Sequence, residues 1–144
     1  MELSSKSEYA LLALLELGRG FGQGEPMQIR QIAAHQNIPD RYLEQLLATL
    51  RRAGIVRSQR GAKGGYLLAR SPWQITLYDV VSCIEGFDSS KEPPANPQTS
   101  ESSVIAEVWQ TARQAAEDVL QKQTLQDLVD KCKAKQQVDL MYYI

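Results

Sequence analysis

The segment from Asp40 to Arg52 restricts the fold more than any other part of the chain. Its leucines recur at the i, i+3, i+4 and i+7 spacing that places side chains on one face of an α-helix; they are Leu43, Leu46, Leu47 and Leu50. Gly54 follows as a helix-ending residue. We therefore predict an amphipathic helix with a buried leucine face.

A shorter helix and a tight turn precede this amphipathic helix. The segment from Gln28 to Gln36 has apolar residues at helical spacing, and Asn37-Ile38-Pro39 interrupts it. A short helix, a tight turn and a second amphipathic helix follow one another in the helix-turn-helix motif of DNA-binding proteins. The order of elements therefore predicts this motif.

The face opposite the leucines carries side chains that can contact DNA. In the major groove, arginine can bind guanine, glutamine can bind adenine, and glutamate can accept from the amino group of cytosine. A generic surface helix can carry the same residue types, so the face gains weight only from the motif around it. From this helix we predict DNA contacts by Arg41, Tyr42, Glu44, Gln45, Thr49 and Arg52.

A β-hairpin with a basic, glycine-rich turn is predicted directly after the helix. Residues 56–59 and 66–69 have strand character, and Arg60-Gly61-Ala62-Lys63-Gly64-Gly65 joins them. Such a hairpin is a wing, and a cation at its tip suits the narrow minor groove of A·T-rich DNA. A nucleotide phosphate loop is excluded because G-x-x-x-x-G-K-[ST] is absent, while a purely structural hairpin stays open. The further predicted DNA-binding residues are Arg30, Arg57, Arg60 and Lys63.

The charge distribution agrees with a nucleic-acid partner. The net charge is −1, but residues 30–70 hold eight basic and two acidic residues, against eight basic and fifteen acidic residues in the remainder. A cationic segment on an acidic body is typical of a phosphate-binding face, because neutralised phosphates release counterions. On charge alone, a merely solvated surface is an equal alternative.

The second half of the chain is predicted to be helical. From about Val104, apolar residues recur at spacings of three and four, and small alanines would let two such helices approach closely. We predict a dimerisation helix, with a core helix of a monomer as the alternative. Its seam residues are Ile105, Val108, Trp109, Ala112, Ala115 and Val119.

The predicted fold is mainly α with a small β-hairpin. Residues 1–85 form a winged helix-turn-helix DNA-binding domain, and residues 86–103 form a flexible loop of the sensor type. Residues 104–144 hold the dimerisation helix and a last helix, capped by Thr124 and Asp127, that folds back on the first. The first helix, from Ser5 as N-cap with Glu8 to a stop at Gly18, is apolar almost all round and should be buried.

Specific blocks of residues resemble the Rrf2 family of winged-helix transcription regulators. The resemblance extends from about Leu3 to Gly86 and is carried above all by Tyr42-Leu43-Glu44-Gln45, Arg60-Gly61 and Gly64-Gly65-Tyr66. It implies a homodimer on a double-stranded DNA operator. It also implies that Arg41 and Glu44 read bases and that Arg60 enters the minor groove.

The chain departs from the cluster-binding members of that family. Those members hold an iron–sulfur cluster through three loop cysteines and a nearby histidine, whereas residues 86–103 contain no cysteine and Ala106 stands where the histidine would fall. Because clusters need thiolate ligands, we expect no cofactor. Cys83 and Cys132 are expected to be small packed side chains. An unusual cluster or redox site, formed by either cysteine across the dimer or with Glu8, stays open as an alternative function.

Other classes of function fit less well. A single histidine, no nucleophile motif and no clustered carboxylates leave nothing for acid–base or covalent catalysis, so we do not expect an enzyme. His35 is expected at the surface, and Trp73 and Trp109 in the core or an interface. With no secretory signal and no apolar stretch near the roughly 20 residues of a membrane span, we expect a cytoplasmic protein that does not enter the membrane. A regulatory protein or small ligand is the expected signal, and a protein-interaction module with the same fold is a further alternative.

Overall fold

The computed structural model describes residues 3–86 and 99–142. Strands β1 and β2 form an antiparallel hairpin with Val56 opposite Leu68. Helices and this hairpin together confirm the predicted mainly α, winged-helix fold. No helix in the described ranges is both long and apolar enough to cross a membrane. The elements in chain order are α1 (Ser5–Arg19), α2 (Ile29–Gln36), α3 (Asp40–Arg52), β1 (Val56–Gln59), β2 (Gly65–Leu68), a 3-10 helix (Pro72–Gln74), α4 (Leu77–Glu85), α5 (Ser100–Lys122) and α6 (Leu125–Tyr142).

Helix α1 lies at the centre of the core. It contacts α2, α3, α4, α6 and β2, and Ala10, Ala13 and Leu14 have no exposed surface. The prediction that this helix is buried on several sides is therefore confirmed. Removing this apolar surface from water, at about 25 cal/mol per Å², is the main favourable contribution that α1 makes to folding.

The start of α1 differs from the predicted capping box of Ser5 and Glu8. Ser4 is the N-cap, and its Oγ accepts a hydrogen bond from the Ser7 backbone N–H at 3.1 Å. The carboxylate of Glu85, at the end of α4, accepts from the hydroxyls of both Ser4 and Ser7. With Ser4 as the N-cap, the third residue of the helix is Ser7, so Glu8 lies one place beyond the capping-box position and has no part in this cap.

The sequence predicted that α1 ends at Gly18, but the helix continues to Arg19. A β-carbon at position 18 would lie 3.2 Å from Cγ2 of Val129 and 3.6 Å from Cδ2 of Leu125. Both residues are buried in α6. Glycine is therefore present where α6 crosses α1, and the two helices approach closely because of it.

Helix α5 begins at Ser100, earlier than the predicted Val104, because the Thr99 side chain accepts from the Ser102 N–H at 3.1 Å and caps it. Residues 87–98 of the predicted loop lie outside the described residues. The predicted cap of α6 is confirmed, since Thr124 N–H donates to Asp127 at 2.9 Å and Asp127 N–H donates back to Thr124 at 3.1 Å.

Two backbone hydrogen bonds join the turn between α5 and α6 to the segment that leads into α4. Leu77 N–H donates to the Gln123 carbonyl at 2.9 Å, and Leu125 N–H donates to the Ile75 carbonyl at 2.8 Å. The turn between α5 and α6 is thus attached directly to the segment that precedes α4.

Candidate DNA-binding surface

Helix α3 is buried on one face and exposed on the other. Leu43, Leu47 and Leu50 have no exposed surface, whereas Arg41 and Glu44 are exposed. Of the other residues predicted to contact DNA from this helix, Gln45 and Arg52 are exposed, Tyr42 is 48% exposed and Thr49 is half-buried. The leucine spacing therefore predicted correctly which face of the helix is buried and which is exposed.

The turn between α2 and α3 fixes the angle between the two helices. Asn37 has φ 55° and ψ 46°, and it is the only non-glycine residue with positive φ in residues 3–86 and 99–142. Asparagine tolerates this left-handed conformation better than most residues. Ile38 N–H donates to the Ala33 carbonyl at 3.1 Å, and the buried Ile38 side chain anchors the turn in the core.

Thr49 differs from its neighbours on the exposed face because its hydroxyl is engaged within α3. Its Oγ1 donates to the Gln45 carbonyl at 3.1 Å and accepts from Nη2 of Arg52 at 3.3 Å. Its hydroxyl is therefore less available to a partner than the side chains of Glu44 and Gln45.

Two glycines at the hairpin turn allow close backbone approaches, one within the hairpin and one to the segment that precedes α2. A β-carbon at Gly64 would overlap the Gln59 carbonyl, and one at Gly65 would overlap the backbone of Met27. Gly64 N–H also donates to the Gly61 carbonyl at 2.9 Å. These close approaches explain why two consecutive glycines stand here.

The cations predicted to contact DNA are exposed and unpaired. Neither an ion pair nor a hydrogen bond connects any of their side chains to another residue within the described ranges. Arg52 is the exception, through Thr49. The unpaired cations, which we call the cationic set, are Arg30, Arg41, Arg57, Arg60 and Lys63.

Neighbouring surface depressions connect the hairpin to the start of α2. Arg30 borders one together with Ser58 and Gln59, and Lys63 borders another together with Gln31. Arg30 and Lys63 therefore lie on one stretch of surface, because Gln28 and Gln59 border both depressions. Arg70, which contributed to the charge count, lies apart from it because its guanidinium faces Asp79 at 4.0 Å.

Sequence reasoning missed Glu16, a carboxylate buried inside α1. It accepts from Nη1 of Arg19 at 3.1 Å and from the Gln36 side chain, and its Oε2 lies 3.1 Å from Nδ1 of His35. His35 is exposed, as predicted, but it contacts this carboxylate. The available signal was an acidic residue within the apolar stretch from Tyr9 to Leu17. The effect of Glu16 is to connect α1 to the helix-turn-helix motif.

Helix α5 presents an apolar face that no other part of the described chain covers. Ile105 is 69% exposed, Val108 and Trp109 are each 66% exposed, and Val119 is 59% exposed. Ala112 and Ala115 are exposed as well. The alternative prediction, that this helix is a core helix of a monomer, is therefore wrong. Trp109 is likewise not a core aromatic residue.

Trp73 is also outside the core, contrary to one of the two places predicted for it. It is 59% exposed, and its ring meets that of Phe21 edge to face, with 5.8 Å between the ring centroids. The aromatic contact is real, but it lies on the surface.

The helix-turn-helix and its hairpin define a winged-helix transcription regulator. The chain belongs to the Rrf2 family, whose profile, described as "Iron-dependent Transcriptional regulator", matches residues 3–131. The HTH-type transcriptional regulator CymR of Bacillus subtilis (strain 168) is 37% identical over 142 residues, which cover 99% of each chain.

Solved structures give the same family. The structure of CymR, the global cysteine regulator of B. subtilis, superposes with a TM-score of 0.77 at 37% identity and covers 91% of this chain and 98% of that one. T. potens IscR also has a TM-score of 0.77, at 34% identity, and covers 94% of this chain and 91% of that one. The recognition made from the sequence is thus confirmed.

The residues present do not fit an iron–sulfur cluster of the three-cysteine type. The chain has two cysteines and one histidine, and the described ranges contain no group of three or more histidine, cysteine or acidic side chains placed to hold a metal. Cys83 and Cys132 are half-buried and contact the core. Burial, and secondarily the charge of Asp79, raise the pKa of Cys83, which disfavours the thiolate that a cluster requires.

Proposed function

We propose that this chain regulates transcription by binding a specific DNA operator as a homodimer. The exposed face of α3 enters the major groove, with Arg41, Glu44 and Gln45 at base edges, and the hairpin tip with Arg60 enters the adjacent minor groove. The observation that carries the proposal is the cationic set. These cations are exposed and have no partner among the residues that the structure describes, so they are available to neutralise phosphates, which supplies sequence-independent affinity.

Dimerisation through α5 supports the same proposal. The uncovered face from Ile105 to Val119 would otherwise leave large apolar side chains in water. Two copies joined there would present two α3 helices to DNA, and half-sites for such dimers lie about 34 Å apart, one turn of the duplex. A palindromic operator follows from this symmetry.

We further propose that the regulator works without a metal cofactor. Its activity would then respond to a protein partner or a small ligand, because the donor set on the described residues supplies no cluster. In this respect the chain would differ from the iron-dependent regulation that the description of its family names.

Selection of duplexes from a random-sequence library tests the proposed function directly. Recovered sites should be palindromic, and anisotropy titrations should show them bound about a thousandfold more tightly than random duplex. Affinity for both should fall steeply between two salt concentrations. Sedimentation velocity of the free protein should give a dimer. Recovery of no preferred sequence, together with salt-insensitive binding, would overturn the proposal.

A further inference from the structure

A cleft opens between the turn that follows α1 and the β-hairpin. Its volume is about 250 Å³. The turn forms one wall and both strands of the hairpin form the other. The side chains that line the cleft and could contact a ligand include those of Leu17, Phe21, Glu25, Arg57, Tyr66 and Leu67.

The body of the cleft is mainly apolar, and one of its aromatic residues packs against a neighbouring ring. Phe21 remains 43% exposed beside it, and its ring is held from outside by Trp73 in the edge-to-face contact. Aromatic pairs in this geometry stabilise each other beyond their burial. A phenylalanine held in place at the edge of a cleft is a suitable wall for an apolar ligand group.

Two opposite charges line the same cleft without pairing. Glu25 and Arg57 both border it, and within residues 3–86 and 99–142 neither side chain has a hydrogen bond or an ion pair, with the other or with any third residue. An arginine fork is suited to a carboxylate, and a glutamate accepts hydrogen bonds from an ammonium group. The cleft thus combines an apolar body with one site for each sign of charge.

We propose that this cleft binds a small zwitterion with an apolar body, the chemical class of the aliphatic α-amino acids. The carboxylate would pair with Arg57, the ammonium with Glu25, and the apolar group would lie against Phe21 and Leu17. The cleft, with a volume of about 250 Å³ and one side open to solvent, is large enough for a ligand the size of a single amino acid.

The site has a regulatory consequence that rests on the proposed function. Arg57 belongs to the cationic set, so a ligand carboxylate paired with it would withdraw one positive charge from the DNA phosphates. We expect a bound zwitterion to lower operator affinity about fivefold to tenfold, the loss of about one phosphate contact.

Calorimetric titration of the full-length protein without DNA tests the site. The probes are L-valine, L-leucine and L-methionine, with N-acetyl-L-leucine and 3-methylbutylamine as analogues of leucine that lack one charge each. At least one amino acid should bind, and each analogue should bind about tenfold more weakly than leucine, because one charged hydrogen bond is lost. No binding of any amino acid, or equal binding of leucine and both analogues, would overturn the proposal.

Variants that remove single charges test whether the amino acid binds in this cleft. Glu25→Gln and Arg57→Gln should each weaken binding about tenfold, while Glu107→Gln on α5 and Lys133→Gln on α6 remove one charge of each sign far from the cleft and should leave it unchanged. Circular dichroism establishes that every variant is folded. Equal affinities in all four variants would place the ligand elsewhere. Ligand should also change the intrinsic fluorescence, and that change should disappear in Trp73→Phe.

A DNA titration with and without saturating amino acid then tests the coupling separately. Reduced operator affinity supports it, and unchanged affinity in the presence of bound ligand overturns the coupling alone. Because the calorimetry contains no DNA, a failure of the DNA-binding proposal would leave the result on the cleft interpretable.

Discussion

Met27 and Tyr66 exchange two backbone hydrogen bonds, with Tyr66 N–H donating to the Met27 carbonyl at 2.8 Å and Met27 N–H donating to the Tyr66 carbonyl at 3.0 Å. This isolated bridge attaches the hairpin to the segment that precedes α2. Gly65 makes the bridge possible, since a β-carbon there would overlap the Met27 backbone. The position of the hairpin relative to the helix-turn-helix motif therefore depends on one missing side chain.

Gly65→Ala should displace the hairpin from α2. Gly65 has φ 155°, and strain at such a position, with the added overlap, should cost about 1–3 kcal/mol of unfolding free energy. Operator affinity should fall as well. Urea denaturation and anisotropy measure the two effects. Gly22→Ala is the matched control, because Gly22 has φ 98° with open space around it; equal DNA-binding losses in both variants would show that the bridge does not position the hairpin.

Arg60→Ala should weaken operator binding most where the flanking sequence is A·T-rich, because a narrow minor groove concentrates negative potential. The slope of log affinity against log salt should decrease by about 1, the effect of one phosphate or groove contact. Titrations at several salt concentrations on A·T-flanked and G·C-flanked operators measure both. Lys133→Ala, an exposed cation of α6, is the control. An equal loss of affinity on both operators would contradict the placement of Arg60 in the minor groove.

Glu44→Ala should relax base preference at one position in each half-site. A well-placed contact to a base edge discriminates by about 1–3 kcal/mol, so the variant should bind single-substituted operators nearly as well as the original one. A complete set of operator substitutions, titrated with wild type and variant, measures the change. Glu107→Ala removes the same charge from α5 and should keep the wild-type preference. An unchanged substitution profile for Glu44→Ala would refute its assignment.

Val108→Asp should separate the dimer. Val108 is 66% exposed in the single chain, and a carboxylate in an apolar seam would have to lose its hydration without a partner. Sedimentation velocity should show a monomer, and operator affinity should fall because each half-site binds alone. Gln110→Asp introduces the same group at an exposed position of α5 outside the predicted seam and should remain dimeric. A dimeric Val108→Asp protein would exclude this face as the seam.

Glu85→Gln should lower stability at neutral pH but much less in acid. Hydrogen bonds from Ser4 and Ser7 lower the pKa of Glu85 from its usual 4.5, so its contribution is complete above that value and is lost as the pH falls through the lowered pKa. Because Glu85 is exposed, the contribution is about 0.5–1 kcal/mol. Urea midpoints at pH 7 and pH 3 measure it. A difference between variant and wild type that does not shrink in acid would contradict the assignment.

The sequence predicted elements whose causes are local. The bounds of α3 followed from leucine spacing between Pro39 and Gly54, and both features lie within the segment itself. The exposure of Arg41 and Glu44 followed from the same spacing. Their roles on DNA stay predictions, since orientation alone does not specify a partner.

Features decided by distant residues were not predictable in this way. The carboxylate of Glu85, which binds the hydroxyl of the N-cap Ser4, comes from a distant helix, and the role of Gly18 depends on α6. The bridge at Met27 involves a single residue and leaves no periodic pattern. The cleft beside the hairpin has the same origin, since Glu25 and Arg57 are distant in the sequence and border one cleft only in the folded chain.

The crossing of α6 over Gly18 also affects how the protein is made. Helix α1 leaves the ribosome well before α6, yet Val129 and Leu125 complete the apolar surroundings of α1. Until α6 emerges, one side of the central helix stays uncovered. The winged helix therefore reaches its final stability only after α6 has been synthesised, and nascent chains need protection from association during that interval.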